Sequence, residues 1–374
     1  MKIAIIGPVY PYRGGIAHFS GCLFRELEKN NHQTLLINFR KQYPTFLFPG
    51  KRQTESESYF QDIPSLRILI PYNPFTYRKT LKKLLEFNPD LVVFQFFLPF
   101  FIPAYCYLLK RIKRRKIKTL IIAHNINFHE RWLFAKTLTR KLLKKTDRIM
   151  TLSDTVYKEA GKLLQNNNDK LIRGFHPLYT FHNQNVYSRE SARKRLGLEE
   201  QKVILFFGYI KPYKGVDLLI RSFILLKKEL KEAILLIAGE VYGNKDKYLN
   251  LIKESGYTED IILLDEYIGS ADVELYFKAA DLLVLPYRTA TQSGVIQTAY
   301  VMGLGVVTTP VGGLPEMVMP GKTGVVANSV SAEDLASAIS SYFTLDVKMV
   351  RESISQFCNR YSWNNFVQLM SEAL

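Results

Sequence analysis

Residues 203–230 read VILFFGYIKPYKGVDLLIRSFILLKKEL. Val203 to Phe207 is an apolar run with no alternating polar face, which reads as a strand buried on both sides. Gly208 breaks the run. Pro212 and Gly215 keep the next residues out of regular structure. From Val216 the apolar residues recur at helical spacing to Leu230. Strand, glycine-bearing loop and helix in this order make the unit from which parallel sheets are built.

The same unit recurs on both sides of this stretch. Before it, strands are expected at Ile3–Ile6, Gln33–Asn38, Leu91–Phe96, Thr119–Ala123 and Arg148–Leu152. Helices are expected at Ile16–Lys29, Phe75–Glu86 and Ala104–Lys113. After it come the strands Ala233–Ala238, Ile261–Leu264, Asp281–Leu285, Val306–Thr309 and Gly324–Val326. The helices expected there are Ala271–Ala280, Gly294–Met302 and Ala332–Phe343. Residues 40–62 are polar and aperiodic and read as a loop. The alternation falters at His182-Asn183-Gln184-Asn185 and resumes after the charged stretch Ser188–Leu196. The chain of 374 residues therefore divides into two α/β domains, each a doubly wound parallel sheet. The expected boundaries are 1–182, 183–355 and a terminal helix, 356–374.

The composition narrows the class. Cys22, Cys106 and Cys358 form neither a CxxC pair nor a zinc-ligand spacing, so a disulfide framework or a zinc centre is not expected, and a reducing compartment fits. The amino terminus MKIAIIGPVYP reads as a first strand rather than a signal peptide. Leu91–Leu109 is uncharged over 19 residues, but Gln95, Pro99 and Pro103 divide it into a strand, a turn and a helix start rather than a membrane span.

Charge is unevenly spread. Residues 1–180 hold 31 Lys and Arg against 12 Asp and Glu, whereas the rest hold 20 against 22. One cluster is Lys110 to Lys118; another is Arg131, Lys136, Arg140, Lys141, Lys144 and Lys145, interleaved with Trp132, Leu133, Phe134, Leu138, Leu142 and Leu143. The second has the pattern of a basic amphipathic helix suited to an anionic bilayer. The same pattern also suits a helix packed on its own core with solvated charges. No nucleic-acid module is recognisable, and nucleic acid is not an expected partner.

Several segments carry chemistry. Gly14-Gly15 precede a helix after the first strand and let the backbone approach a ligand, although a plain turn has the same composition. In Gly208–Gly215, Lys211 and Lys214 stand beside a helix start, a suitable place for a diphosphate; two solvated surface lysines are the alternative. His124 ends a strand, where a structural histidine is also common. His129-Glu130 has the residue types to grip an acceptor hydroxyl, or is a surface pair. Ser153-Asp154 reads as a helix cap.

Gly208–Gly215, with Val311-Gly312-Gly313-Leu314-Pro315-Glu316, Gly321-Lys322-Thr323-Gly324 and the tail Tyr361-Ser362-Trp363, resembles retaining glycosyltransferase family 4, of the GT-B fold. The resemblance implies two Rossmann-like domains facing a central cleft, with the last helix crossing back to the first domain. It implies glycosyl transfer from a UDP- or GDP-linked sugar with retention of configuration and neither cofactor nor metal. Lys214 then matches the phosphate-binding lysine, Gly14 and Gly15 the glycine loop under diphosphate and sugar, and His124 the histidine facing the sugar. Gly208, Tyr209, Glu240, Gln292, Ser293, Gly294, Val295 and Thr298 complete the expected donor site.

The resemblance has two departures. The family carries an arginine where Tyr209 stands, and Lys211 is expected to supply that charge. By spacing to Gly303, the family's two glutamates, eight residues apart, correspond to Ala290 and Thr298. The overall expectation is a cytoplasmic enzyme, peripheral on the inner membrane face, that glycosylates a lipid-linked or saccharide acceptor for a cell-surface polysaccharide or glycolipid. A sugar-nucleotide epimerase and a catalytically silent adaptor are the alternatives.

Overall fold

The computed structural model describes all residues except 45–51, 56–57, 127–134, 166–167, 199 and 373–374. Two compact units are present: Met1–Pro177 with Ser362–Leu374, and Leu178–Tyr361. The divisions thus fall at 177/178 and 361/362 rather than at 182/183 and 355/356.

The first unit is built on seven parallel strands. In chain order they are β1 (Lys2–Ile6), β2 (Gln33–Phe39), β3 (Ser65–Leu69), β4 (Leu91–Phe96), β5 (Lys118–Ala123), β6 (Arg148–Thr151) and β7 (Leu171–Arg173). Their spatial order is β3-β2-β1-β4-β5-β6-β7. The order reverses direction between β1 and β4, which makes that pair the topological switch point. Every residue of β4, Leu91–Phe96, is buried, as a strand covered by helices on both faces requires. After β4 the chain makes a turn at Pro99–Phe101 and enters a helix at Ile102–Ile112 with Pro103 in its first turn, so the uncharged run does not span a membrane. Among the described residues no helix is long and apolar enough to cross one.

The sequence pattern had not revealed β3 or β7. β3 reads SLRIL with only Leu69 buried, and β7 is three residues of partial exposure. Both are edge strands, where the apolar run that marks a central strand is not required. The terminal helix Trp363–Glu372 belongs to this unit, and Phe19 of the helix Gly15–Lys29 meets Trp363 and Phe366 at ring-centroid distances of 4.9 and 5.6 Å. Such edge-to-face packing fixes the tail.

The second unit has six parallel strands: β8 (Lys202–Phe207), β9 (Ala233–Ala238), β10 (Ile261–Leu264), β11 (Leu282–Leu285), β12 (Val306–Thr308) and β13 (Gly324–Val326). Their order is β10-β9-β8-β11-β12-β13, with the switch point between β8 and β11. Helices Asp246–Ser255 and Val347–Cys358 were also missed in the sequence; each carries few buried residues, so its apolar stripe is thin. Asp281, just before β11, ties the short helix Arg189–Leu196 to this sheet. Its carboxylate pairs with Arg189 and Arg193 and accepts the Val203 amide at 2.8 Å.

Candidate functional site

Ligands of doubly wound sheets sit beyond the carboxyl ends of the strands, at the switch point. In the second unit that location lies between the loop after β8, 208–215, and the loop after β11, 286–293. The loop after β11 interlocks through backbone with the loop after β8 and with the loop after β12, 309–323. A Cβ on Gly215, whose φ is +68°, would lie 2.0 Å from the Pro286 carbonyl oxygen. A Cβ on Gly312, with φ +56°, would lie 1.6 Å from the carbonyl oxygen of Ala290. Both positions therefore require glycine. The Arg288 amide donates to Tyr213 O at 2.7 Å, and the Gly313 amide to Thr291 O at 3.1 Å.

Three of the expected donor residues converge here. A Cβ on Gly208 would stand 3.4 Å from Lys214 Nζ and 4.0 Å from Val295 Cγ2. Lys214 is half-buried at the end of the turn Pro212–Lys214. Its Nζ is 5.0 Å from the Tyr287 ring centroid and hydrogen-bonds the Tyr287 side chain. Burial works to lower its pKa, but the phenols of Tyr287 and Tyr213 outweigh that effect and hold it above the usual lysine value. The ammonium is thus a fixed positive charge across the physiological range.

The Tyr287 hydroxyl lies 3.4 Å from Ser293 Oγ. Ser293 precedes the helix Gly294–Val301 without capping it, because its hydroxyl points to Tyr287. Thr298 is buried and returns its hydroxyl to Gly294 O at 3.3 Å. Gln292 Oε1 is buried without a protein hydrogen-bond partner.

Lys211 and Tyr209 occupy a neighbouring aromatic group. Tyr209 lies 4.9 Å from Tyr242 and 6.2 Å from Tyr267, ring to ring, and Lys211 Nζ is 5.1 Å from the Tyr242 centroid. Reciprocal bonds, Ile210 N to Glu240 O and Tyr242 N to Ile210 O, both 2.8 Å, prolong β8 and β9 and set these side chains beside each other. Glu240 is 2% exposed.

Gly14, Gly15 and His124 belong to the first unit, at the carboxyl ends of β1 and β5. Gly14 O accepts the amides of Ala17 and His18 at the helix start, and Gly15 is exposed. Asn38 braces this loop by donating to Val9 O and Tyr10 O at 3.1 and 3.0 Å. His124 is 3% exposed, with Nε2 2.6 Å from Gln95 Oε1 and Phe19 edge-on at 4.9 Å. Burial, and then the nearby His176, hold its pKa down to about 3. It is a neutral imidazole, able to orient a ligand by hydrogen bonding but not to carry a positive charge at neutral pH. His129 and Glu130 lie outside the described residues, as do Arg131 to Phe134.

The Lys110 to Lys118 cluster lies at the other end of the first sheet. Lys113, Lys116, Lys118 and Arg148 line a hollow of about 390 Å³ with Ile117 and Asp147, at the amino ends of β5 and β6. Lys113 pairs with Asp147 at 2.8 Å and donates to Lys145 O at 3.0 Å, while Lys170 donates to Lys144 O and Thr146 O. These two lysines close the carboxyl end of the helix Ala135–Lys145. On that helix Leu142 and Leu143 are buried, whereas Lys136, Leu138, Lys141 and Lys144 are exposed.

The residues that sequence reasoning missed are Tyr287, Arg288 and Asp217. Arg288 pairs with Asp217 through both guanidinium nitrogens, at 2.8 and 3.2 Å, and NH1 reaches Pro212 O at 3.2 Å. Their one sequence signal is position: Tyr287 and Arg288 directly follow a strand at the switch point.

Comparison with known proteins agrees with this architecture. A family model for Glycosyltransferase Family 4 matches residues 13–173, and one for glycosyl transferases group 1 matches residues 201–344. A D-inositol 3-phosphate glycosyltransferase of Corynebacterium aurimucosum is 31% identical over 46% of this chain and 43% of its own length. The chain thus spans 38–51% of the length of the curated relatives it matches. Among solved structures, Anabaena HepE in complex with UDP superposes with a TM-score of 0.76 at 14% identity, covering 100% of this chain and 99% of its own. A glycosyltransferase of Rickettsia africae gives 0.76 at 18% identity, covering 99% and 97%. By its two doubly wound sheets and the two models that between them take in most of its length, the chain belongs to the group 1, family 4-type glycosyltransferases of GT-B fold.

Proposed function

We propose that this protein transfers a sugar from a UDP- or GDP-linked donor to a lipid-linked or saccharide acceptor, with retention of configuration. One observation carries the reading: Gly208, the Lys214 ammonium and Val295 converge where the loops after β8 and β11 meet, at the switch point of the second sheet. A half-buried ammonium held protonated beside a close backbone approach suits a diphosphate. The relatives named as glycosyltransferases, and the HepE structure holding UDP, support the same class.

In this reading the acceptor oxygen bonds the anomeric carbon as the bond to the diphosphate oxygen breaks. The acceptor proton passes to the departing phosphate on the same face, so no protein nucleophile is used. Lys214 stabilises the charge that develops on the leaving group, with Lys211 beside it. His124 orients the sugar as a neutral hydrogen-bonding group, and Gly14 and Gly15 leave room for it. Neither a metal nor another cofactor is used. Ala290 and Thr298 stand where the family's glutamates are expected, so sugar hydroxyls are read by the 291–295 segment instead.

The acceptor is presented at an anionic membrane. This rests on the excess of cations over residues 1–180 and on the exposed Lys136, Lys141 and Lys144 flanking Leu138. The step belongs to surface polysaccharide or glycolipid assembly on the cytoplasmic side.

A thermal-shift screen of nucleotide-sugars against the full chain tests the donor assignment. A hit raises the melting temperature by mass action and identifies base and sugar together. Acceptor-dependent release of the nucleoside diphosphate then distinguishes a transferase from an epimerase. Absence of any stabilisation by UDP, GDP or their sugars would overturn the proposal.

A further inference from the structure

We infer that Tyr287 and Arg288 are positioning residues that hold the Lys214 ammonium in register for a bound diphosphate. The inference rests on the reading of Lys214 given above.

Lysine is long and flexible, and a free side chain would spread its charge over many rotamers. Here the neighbours fix both ends. At the backbone, Arg288 binds the turn that carries Lys214. Its amide donates to Tyr213 O at 2.7 Å and its guanidinium to Pro212 O at 3.2 Å. Asp217, in the first turn of the helix Val216–Leu226, accepts both guanidinium nitrogens, and Lys247 reaches the same carboxylate at 2.9 Å.

At the tip, the Tyr287 phenol accepts from Lys214 and so keeps its own proton for Ser293 Oγ, 3.4 Å away. A chain of polar groups thus runs from the phosphate loop to the start of the helix Gly294–Val301. Tyr287 is itself 2% exposed, and its carbonyl accepts from Thr309 Oγ1. The titratable or charged groups around the ammonium are Tyr213 on its own turn, Tyr287 on the loop after β11, and the Arg288–Asp217–Lys247 group beneath them. Both phenols keep Lys214 protonated, and burial opposes them.

Tyr287→Phe keeps the ring and removes only the hydroxyl, and Arg288→Gln removes the anchor charge. Calorimetric binding of UDP, GDP and uridine by the full chain, followed from pH 7 to 10, separates the possibilities. In Tyr287→Phe the nucleoside diphosphate affinity falls by about tenfold, the size of one hydrogen bond to a charged group. Uridine binding, measured as a phosphate-free control, does not change. The alkaline limb of UDP binding moves to lower pH, because burial then acts on Lys214 with less opposition. A merely structural role would lower the melting temperature but would not move that limb. Arg288→Gln weakens diphosphate binding, and Arg288→Lys restores part of it.

Diphosphate affinity and alkaline limb unchanged in Tyr287→Phe, with Lys214→Ala strongly impaired, would overturn the positioning role while leaving the donor assignment standing. Lys214→Ala binding UDP and GDP like wild type, or a wild type that binds neither, would overturn both.

Discussion

Truncation of Lys214 to alanine is the sharpest test of the donor site. The wild-type ammonium is half-buried, hydrogen-bonded to Tyr287 and held above the ordinary lysine pKa. It therefore meets an incoming diphosphate as a full charge in a setting of reduced dielectric. At a separation of about 4 Å and an effective dielectric near 20, one such pair interacts by roughly 4 kcal/mol. Part of this is offset by water lost from both groups. The residue left for the transition state is then close to the ~2.7–4 kcal/mol seen when an oxyanion donor is removed. Turnover of Lys214→Ala is expected to fall by about 10²- to 10³-fold, with Lys214→Arg partly active because the charge is kept.

The fold gives the control. The neighbours left behind are the phenols Tyr213 and Tyr287, not a carboxylate, so no unpaired charge is stranded and the melting temperature stays within a few degrees. The assay is release of nucleoside diphosphate from whichever donor stabilises the wild type. Turnover within about threefold of wild type in a folded Lys214→Ala variant would refute the reasoning, because Lys211 alone would then be carrying the leaving-group charge assigned mainly to Lys214.

Three further outcomes are expected. Gly312→Ala forces a Cβ to within 1.6 Å of Ala290 O at φ +56°, so melting should drop by an amount matching roughly 1–3 kcal/mol of backbone strain or more, and UDP affinity should drop with it; a neutral substitution would mean that the loops after β11 and β12 are not locked. Asp281→Ala strands Arg193, whose side chain is 10% exposed, and should cost about 3 kcal/mol or more in urea unfolding, whereas replacing an exposed lysine such as Lys116 should cost under about 0.5 kcal/mol. His124, with a folded pKa of about 3, lies below its unfolded value, so its contribution to stability is present above roughly pH 6.5 and is lost as the pH falls from there toward 3. His124→Gln should flatten the acid side of the stability–pH curve, and an unchanged slope would contradict a buried, neutral imidazole.

The sequence made the fold legible where strands are central. β9 is an uninterrupted apolar run, and β4 a run broken only by Gln95, because helices cover both faces, and such runs can be read without a structure. β3 and β7 escaped notice because an edge strand needs no such run. The 208–215 loop was legible as a candidate for a similar reason: glycine and lysine at fixed offsets between a strand and a helix suit an anion. The rest of the site was not legible, because it depends on which loops the sheet order brings together. Nothing in the local sequence pairs Tyr287 with Lys214, 73 positions away; the adjacency of β8 and β11 does so. His124 was legible as a position but not as a state. Its protonation is set by burial and then by His176, which stands 52 positions away in the sequence.

Charge around the ammonium supplies a last step. From Thr289 to Thr298 the segment facing the phosphate loop contains no carboxylate. Its polar side chains include Ser293, with its hydroxyl turned to Tyr287, Thr298, with its hydroxyl turned to its own helix, and Gln292 and Gln297, whose Oε1 atoms are buried without a protein partner. A carboxylate in that segment would offset part of the lysine's charge and hold it in a salt bridge when no ligand is bound. The Tyr287 phenol holds it by neutral hydrogen bonding instead, so the positive potential stays uncompensated until an anion arrives. An anionic ligand at this ammonium would therefore meet no ion pair that must first be broken. Introducing a carboxylate at Ala290 should consequently weaken diphosphate binding through a new Lys214 ion pair, and the weakening should shrink with added salt. Stronger binding in that variant would show that the segment lacks a ligand-reading acid rather than avoiding a competing one.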